Sequence, residues 1–255
     1  MASVALFWLV MVTMVRVGSV PIVDAILVVI LLVGVPGLSL AQVPLVHGAR
    51  IERLPAYWGS IVTLWLLGTV CWLVGTREGG AAAIGVVGLP IGVAVAWTVV
   101  LLLGGLAIIV VFRQIALWAR IPETPLLRSL LPQTPKERYV FVLLSVAAGT
   151  GEEVAYRGYA IPVLASLLGI PGAAVLTTLV FGALHAYQGW LGVVRTSLMG
   201  GVLAWGFLAS GSLWPPIIAH TLIDVLAGVV FGERLMSPQV ATGVPTVEHP
   251  TPREG

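Results

Sequence analysis

The chain has 255 residues, of which 58% are hydrophobic and only 9% are charged. Soluble domains carry about 25% charged residues, so this composition excludes an ordinary soluble domain and indicates an integral membrane protein. The formal net charge of +2 comes without a run of lysine or arginine, which argues against nucleic-acid binding. A single cysteine, Cys71, excludes an intrachain disulfide framework and a cysteine-based metal site.

Long apolar segments follow one another from the N-terminus. The first, Val4–Val15, is short and is followed by Arg16, so it is either an interfacial helix or an additional span. Further stretches approach the length of about 20 residues that a helix needs to cross a bilayer. We predict spans at about 22–41, 56–75, 90–112, 139–157, 171–187, 190–210 and 214–232. The predicted fold is therefore an all-α, polytopic integral membrane helical bundle with about 7–8 transmembrane helices.

The charges between the spans predict an orientation. The connection Arg113–Arg138 and the loop around Arg50 and Arg53 are basic and lie on the same side of the predicted bundle. Cytoplasmic loops are enriched in Lys and Arg, so we predict that both are cytoplasmic in a multi-pass protein of the cell membrane. The polar, proline-rich tail would then be cytoplasmic too. We divide the chain into N-terminal membrane helices and a loop (1–138), a helical core (139–232) and a disordered tail (233–255).

Charged side chains are rare in the helical core, and they come with two histidines. The residues between Val140 and Phe231 that titrate near neutral pH or carry charge are Glu152, Glu153, Arg157, His185, Arg195, His220 and Asp224. A charged residue at bilayer depth costs about 2.5–3.5 kcal/mol on insertion scales, so such residues normally face a protein interior or a cavity. Their distribution over separate apolar segments predicts one polar site inside the bundle.

The spacing of these residues predicts specific pairs. Glu153 and Arg157 are four residues apart on one helix and can form an ion pair, which has a purely structural interpretation as well. Glu152 lies about 100° round the helix, has no basic residue within one turn, and is the best candidate general base. Asp224 follows His220 by one turn, where its carboxylate can accept a hydrogen bond from the imidazole and set its tautomer.

Three motifs occur in order on three apolar segments: Glu-Glu-x-x-x-Arg-Gly at 152–158, Phe-x-x-x-His at 181–185 and His-x-x-x-Asp at 220–224. Together they resemble the CPBP family, which contains the CAAX-type prenyl-protein endopeptidases and their bacterial relatives, also called Abi or bacteriocin-processing proteins. The resemblance covers Tyr139–Phe231. It implies an α-helical intramembrane protease that hydrolyses peptides with an activated water, without a covalent intermediate and without a required metal.

The resemblance assigns catalytic roles to Glu152, Glu153, His185, His220 and Asp224, and site-shaping roles to Arg157 and Phe181. Glu152 would be the general base, helped by His185, and His220 would face the developing oxyanion. Position 224 is often Asn in the family, whereas an ionised Asp224 would repel an oxyanion. We therefore predict that Asp224 orients or protonates His220, which then donates the hydrogen bond.

Other functions stay open at this point. Zn²⁺ held by Glu152, His185 and His220 would make the same protease metal-dependent. An ion- or proton-coupled transporter could use the intramembrane carboxylates and histidines as a relay, although no inverted repeat is visible. A non-catalytic bacteriocin-immunity or scaffold protein is the third alternative. The expected partners are the lipid bilayer and a membrane-associated peptide or protein substrate, prenylated or not. The sequence does not specify an oligomeric state.

Overall fold

The computed structural model describes residues 16–17, 20–45 and 51–232. The N-terminal segment Val4–Val15 and the tail 233–255, for which we made predictions above, lie outside the described residues. The described part begins with a two-residue antiparallel pair, β1 (Arg16–Val17) and β2 (Val20–Pro21). From Ile22 onward it is built from helices and their connections.

The helices begin where the sequence supplies caps or proline. Thr134 caps α6, because its side chain accepts a hydrogen bond from the Glu137 N–H. The Glu137 carboxylate in turn accepts a hydrogen bond from the Thr134 N–H. In chain order the helices are α1 (Ile22–Val29), a π-helical segment (Ile30–Gly34), α2 (Val35–Leu45), α3 (Arg53–Gly75), a 3-10 helix (Gly80–Ile84), α4 (Ile91–Trp118), α5 (Pro125–Ser129), α6 (Pro135–Glu152), a π-helical segment (Glu153–Ala160), α7 (Ile161–Leu184), a 3-10 turn (Ala186–Gln188), α8 (Gly189–Ser210), α9 (Trp214–Val225) and a π-helical segment (Leu226–Val230).

A chain reversal interrupts α7 at Gly169. This residue has φ 68° and ψ 164°, a conformation outside the helical region that glycine adopts at little cost. Tyr156 and Phe181 lie at similar sequence distances on either side of it, and their rings meet with centroids 5.8 Å apart. The chain therefore folds back on itself at Gly169 as a helical hairpin, which provides two of the predicted spans.

The described helices account for the predicted spans. Those long and apolar enough to cross a membrane are Ile22–Gln42, Arg53–Gly75, Ile91–Trp118, Pro135–Leu184 and Ala186–Ser210, with Trp214–Val230 as a shorter apolar helix. Pro135–Leu184 contains the hairpin, so each of the seven predicted stretches corresponds to a helical segment. The all-α, polytopic membrane fold is confirmed, and the chain is a multi-pass membrane protein.

Close helix contacts at glycines bring the core together around the end of α6. A Cβ atom on Gly68 of α3 would lie 2.8 Å from the Cα of Gly151 on α6. One on Gly149 would lie 2.9 Å from the backbone oxygen of Ile217 on α9. Side chains have no room at these positions, so α3 and α9 both approach the α6 backbone closely. The approach of α9 carries His220 towards Glu152.

Contacts between connections define two ends of the bundle. At one end, the Leu213 N–H donates to the Gly85 carbonyl at 2.7 Å, which joins the 76–90 connection to the turn before α9. At the other end, Tyr57 at the start of α3 donates to the Leu130 carbonyl at 2.6 Å. The start of α3, which includes Arg53, and the 119–134 loop therefore lie at the same end.

Candidate active site

Glu153 and Arg157 lie on the π-helical segment Glu153–Ala160, directly after α6. Every residue of this segment is buried. Single π-helical turns within α-helices occur frequently at functional sites. From the sequence we predicted a regular α-helix here, because the residue types in this stretch do not indicate a change in helical pitch.

The predicted ion pair between Glu153 and Arg157 is present and buried. Arg157 Nη1 donates to Glu153 Oε1 at 2.9 Å, and Nη2 donates to the Gly200 carbonyl of α8 at 3.0 Å. The guanidinium also lies 4.3 Å from the ring centroid of Phe181 on α7. Buried ion pairs are tolerated when further interactions compensate the buried charges. Here the bond to Gly200 joins the π-helical segment to α8, and the contact with Phe181 joins it to α7.

His220 meets the same carboxylate from the other side. Its Nδ1 lies 2.8 Å from Glu153 Oε1, and because an ionised carboxylate only accepts, Nδ1 carries the hydrogen. Its Nε2 is 3.7 Å from Glu152 Oε2 and 3.7 Å from Asp224 Oδ2, beyond hydrogen-bond distance. No hydrogen bond joins Asp224 to His220 among the described residues, and the role of Asp224 in orienting or protonating His220 stays a prediction. Glu153 accepts the Nδ1 bond because α9 lies close enough for the imidazole to reach the π-helical segment.

Glu152 and Asp224 line the more accessible side of this cluster. Their side chains are 14% and 37% exposed, whereas Glu153 and Arg157 are buried. Neither Glu152 nor Asp224 makes a side-chain hydrogen bond within the described residues. Glu152 thus presents an uncommitted carboxylate beside the Nε2 of a firmly held imidazole, an arrangement that can take a proton from a bound water.

His185 and Phe181 adjoin the cluster. His185 Nδ1 lies 2.9 Å from the Phe181 carbonyl and donates to it, which leaves Nε2 as the acceptor in the neutral ring. The Phe181 ring centroid is 5.1 Å from that of His185 and 6.0 Å from that of His220. Phe181 therefore contacts both imidazoles. No hydrogen bond or ion pair joins His185 to Glu152 among the described residues.

The donor set was also compared with the requirements of a metal. Within residues 16–17, 20–45 and 51–232, no group of three or more His, Cys, Asp or Glu side chains is arranged to hold an ion. Glu152, His185 and His220 therefore do not form a ready zinc site in this conformation. Zinc binding would require donor atoms of all three side chains within about 2.0–2.2 Å of one point.

A second polar cluster lies next to His185 and was not predicted. Arg195 Nη1 donates to Glu123 Oε1 at 3.2 Å, and Nη2 donates to Gln188 Oε1 at 2.8 Å. Gln188 Nε2 donates to the Tyr187 hydroxyl at 3.2 Å, and the Tyr187 ring centroid is 5.9 Å from that of His185. The isolated Arg195 in an apolar segment was the visible indication, but its partner Glu123 belongs to a distant loop.

A third cluster anchors the π-helical segment from outside the core. Tyr159 donates to Asp24 Oδ1 at 2.7 Å, and Arg77 Nη1 donates to the same atom at 2.9 Å. Hydrogen bonding to Asp24 raises the pKa of the Arg77 guanidinium above its ordinary value, so this residue stays cationic. Asp24, an isolated acid in an apolar span, was the sequence feature from which this cluster could have been predicted.

Comparisons with known proteins agree with the motifs. Residues 134–226 match the family model described as Type II CAAX prenyl endopeptidase Rce1-like, over less than half of the chain. No curated protein and no solved structure matched the chain. The matched segment contains all three motifs and the whole Glu152–Glu153–Arg157–His220–Asp224 cluster. The resemblance to the CAAX prenyl endopeptidase-like (CPBP) family is thus confirmed for the segment 134–226.

Proposed function

We propose that this chain is an intramembrane endopeptidase that hydrolyses a peptide bond of a membrane-associated protein or peptide, using a water molecule activated by Glu152. One observation carries the proposal most strongly. The free Glu152 carboxylate lies 3.7 Å from His220 Nε2, while the other imidazole nitrogen is fixed by buried Glu153. A general base and a nearby donor for the developing oxyanion are the two groups that such a hydrolysis needs.

The first chemical step follows from these positions. Glu152 takes a proton from the water while the water oxygen attacks the scissile carbonyl carbon, and the carbonyl oxygen becomes an oxyanion. With Nε2 protonated as well, His220 is a cation balanced by the surrounding carboxylates, and Nε2–H donates to that oxyanion. His185 offers its Nε2 lone pair as a second acceptor for protons of the water.

The second step breaks the peptide bond. The proton held by Glu152 passes to the leaving nitrogen, the C–N bond breaks, and the products are a carboxylic acid and an amine. Glu153 and Arg157 do not exchange protons in this scheme. They hold His220 through the 2.8 Å bond to Nδ1 and the 2.9 Å bond between each other, so that little reorganisation accompanies the reaction.

Substrate would reach the cluster from its accessible side. Asp224 is the most exposed of its polar residues. It lies in the second half of α9, which runs from the end of the bundle with the Leu213–Gly85 contact towards the end with the 119–134 loop. The basic loops support an orientation in the cell membrane with that end and the tail in the cytoplasm. A prenylated, CAAX-type chain is one candidate substrate, and an unprenylated membrane peptide is the other.

Cleavage by the purified protein in detergent tests the proposal. The substrate is a mixed library of prenylated and unprenylated peptides, and the variants are Glu152→Gln and the control Glu52→Gln, which makes the same change at an exposed residue. We expect Glu152→Gln to lower the cleavage rate by about 10²–10⁴-fold, the usual contribution of a general base, and Glu52→Gln to behave as wild type.

Each other outcome has a defined meaning. Cleavage that survives in Glu152→Gln would contradict the proposed base. Cleavage abolished by chelator and restored by Zn²⁺ would support the zinc-dependent protease instead. If no peptide in the library is cleaved by wild type, the non-catalytic immunity or scaffold function and the transporter gain support over the protease.

A further inference from the structure

His220 is so far the one side chain of the cluster assigned to donate a hydrogen bond to the oxyanion, and more than one donor usually stabilises such an oxyanion. His220 Nδ1 is committed to Glu153, so only Nε2 of this ring can face substrate. Asp224 carries a carboxylate where a neutral amide would be able to donate, and an ionised carboxylate only accepts hydrogen bonds. A tetrahedral oxyanion is stabilised by fixed donors aimed at its position. A further donor on the accessible side of the cluster would meet this need.

Tyr187 lies next to His185 and carries a hydroxyl that can donate a hydrogen bond. It belongs to the 3-10 turn directly after His185, and its ring packs against that of His185 with centroids 5.9 Å apart and an interplanar angle of 36°. His185 in turn shares a neighbour with His220, since the Phe181 ring centroid is 5.1 Å from that of His185 and 6.0 Å from that of His220. Tyr187 therefore adjoins the group of aromatic rings that borders the cluster.

The hydrogen bonds of the Tyr187 hydroxyl leave its hydrogen available. Gln188 Nε2 donates to the hydroxyl oxygen at 3.2 Å, so the oxygen is the acceptor in this bond. No residue in the described part of the chain accepts from the hydroxyl. A phenol whose oxygen already accepts a hydrogen bond is polarised in the direction that strengthens its own donation. The group is thus prepared to donate to a ligand.

Neighbouring contacts hold both the turn and the amide in this orientation. Thr124 Oγ1 donates to the Tyr187 backbone carbonyl at 2.8 Å. Arg195 Nη2 donates to Gln188 Oε1 at 2.8 Å, which requires the amide nitrogen of Gln188 to point towards Tyr187. Arg195 is itself fixed by Glu123 at 3.2 Å. The 119–124 connection therefore positions the hydroxyl through two separate routes, and a donor held this way needs little reorganisation during reaction.

We propose that Tyr187 is a further catalytic residue, whose hydroxyl donates a hydrogen bond to the oxyanion of the tetrahedral intermediate together with Nε2–H of His220. The proposal rests on the proposed peptidase function. No covalent bond to Tyr187 forms, and its proton stays on the phenol oxygen throughout. A ring that serves only to pack against His185 would tolerate loss of the hydroxyl, and this difference separates the two interpretations.

The test compares Tyr187→Phe with Tyr139→Phe, which loses the same hydroxyl at a residue that is 67% exposed. Both full-length proteins are purified in detergent and assayed on a peptide that wild type cleaves. We expect Tyr187→Phe to lower kcat by about 10²–10³-fold, as the loss of one oxyanion donor does, with KM unchanged and Tyr139→Phe as active as wild type.

A second measurement separates a catalytic role from a structural one. A phosphinate analogue of the cleaved peptide mimics the tetrahedral oxyanion, so its inhibition constant should rise with the loss in kcat in Tyr187→Phe, whereas the affinity of an uncleavable reduced-amide analogue should not. Gln188→Leu keeps the hydroxyl but removes its polarising donor. We expect it to lower kcat less than Tyr187→Phe does.

The outcomes distinguish this inference from the function on which it rests. If Glu152→Gln is inactive while Tyr187→Phe keeps the wild-type kcat, Tyr187 is not an oxyanion donor and the peptidase function stands. The same conclusion follows if Tyr187→Phe weakens both analogues equally. If wild type cleaves no peptide, or Glu152→Gln cleaves as well as wild type, the proposed function fails and this inference fails with it.

Discussion

The helices between residues 22 and 118 differ from the core from 134 to 230 in how many charged side chains they bury. In the first region, the charged residue buried within the described structure is Asp24. The core buries Glu153, Arg157 and His220 in one connected network and adds Glu152 and Asp224 on its accessible side. Each buried charge has to be balanced by a partner, so a connected network of them is expected mainly at a functional site. Asp24 needs only its two partners, Arg77 and Tyr159.

The π-helical segment 153–160 is where the two regions meet. Glu153 and Arg157 face the polar site, while Tyr159 donates to Asp24 and Tyr156 donates to the Leu31 carbonyl at 3.2 Å. The wider helical turn thus presents polar groups to two sides at once. The N-terminal helices are outside the family match, yet they hold the segment that carries three motif residues, Glu153, Arg157 and Gly158. In the part of the chain that the structure describes, they support the site through these two hydrogen bonds.

The largest stability effect is expected inside the core, for Arg157→Met. The substitution leaves Glu153 buried without its cation, and removal of one partner of a buried ion pair typically costs 3–5 kcal/mol, so we expect a loss of about that size. Arg138→Met makes the same change at an exposed residue and should stay within about 0.5 kcal/mol of wild type. Unfolding of the purified proteins in detergent, followed by tryptophan fluorescence, measures both.

Equal stability of Arg157→Met and Arg138→Met would show that the buried pair is not needed for folding. The buried network of the core could then be replaced by apolar contacts without loss of stability, and the two regions would not differ in this respect.

A smaller effect is expected at the junction, for Asp24→Leu. This change removes the acceptor for both Tyr159 and Arg77 and leaves a buried hydroxyl unsatisfied, a situation that costs about 1–3 kcal/mol. Tyr159→Phe removes one of these bonds and should cost about 0.5–1.5 kcal/mol. Unfolding in detergent gives the free energies, and amide hydrogen exchange of residues 153–160 should become faster in Asp24→Leu. Unchanged exchange there would mean that the N-terminal helices do not support the π-helical segment.

The sequence predicted the parts of the fold that depend on local composition. Apolar length predicted each span, because a helix that crosses a bilayer needs little beyond continuous hydrophobicity. The i,i+4 spacing predicted the Glu153–Arg157 pair for the same reason: both partners lie on one turn. Neither prediction required knowledge of which helices are neighbours.

The contacts that the sequence did not predict join distant residues. Asp224 is one turn from His220, but Glu153, which lies 67 positions away, accepts the Nδ1 bond. Glu123 and Arg195 are 72 positions apart, and Asp24 and Tyr159 are 135 apart. Spacing along one helix indicates only the neighbours on that helix. It does not predict a partner that lies on another helix.

The smallest effect is expected for Asp224→Asn, which tests how His220 is held. Glu153 already fixes Nδ1 at 2.8 Å, and Asp224 lies 3.7 Å from Nε2 without a hydrogen bond, so the imidazole should keep its orientation when the Asp224 charge is removed. We expect cleavage to be retained across the pH range in which wild type is active. Glu153→Gln changes the acceptor that does hold the ring, and it should lose much more activity in the same assay. A loss in Asp224→Asn as large as that in Glu153→Gln would mean that the Asp224 carboxylate moves onto Nε2 during the reaction, and the accessible side of the cluster would then belong to its chemistry as fully as the buried side.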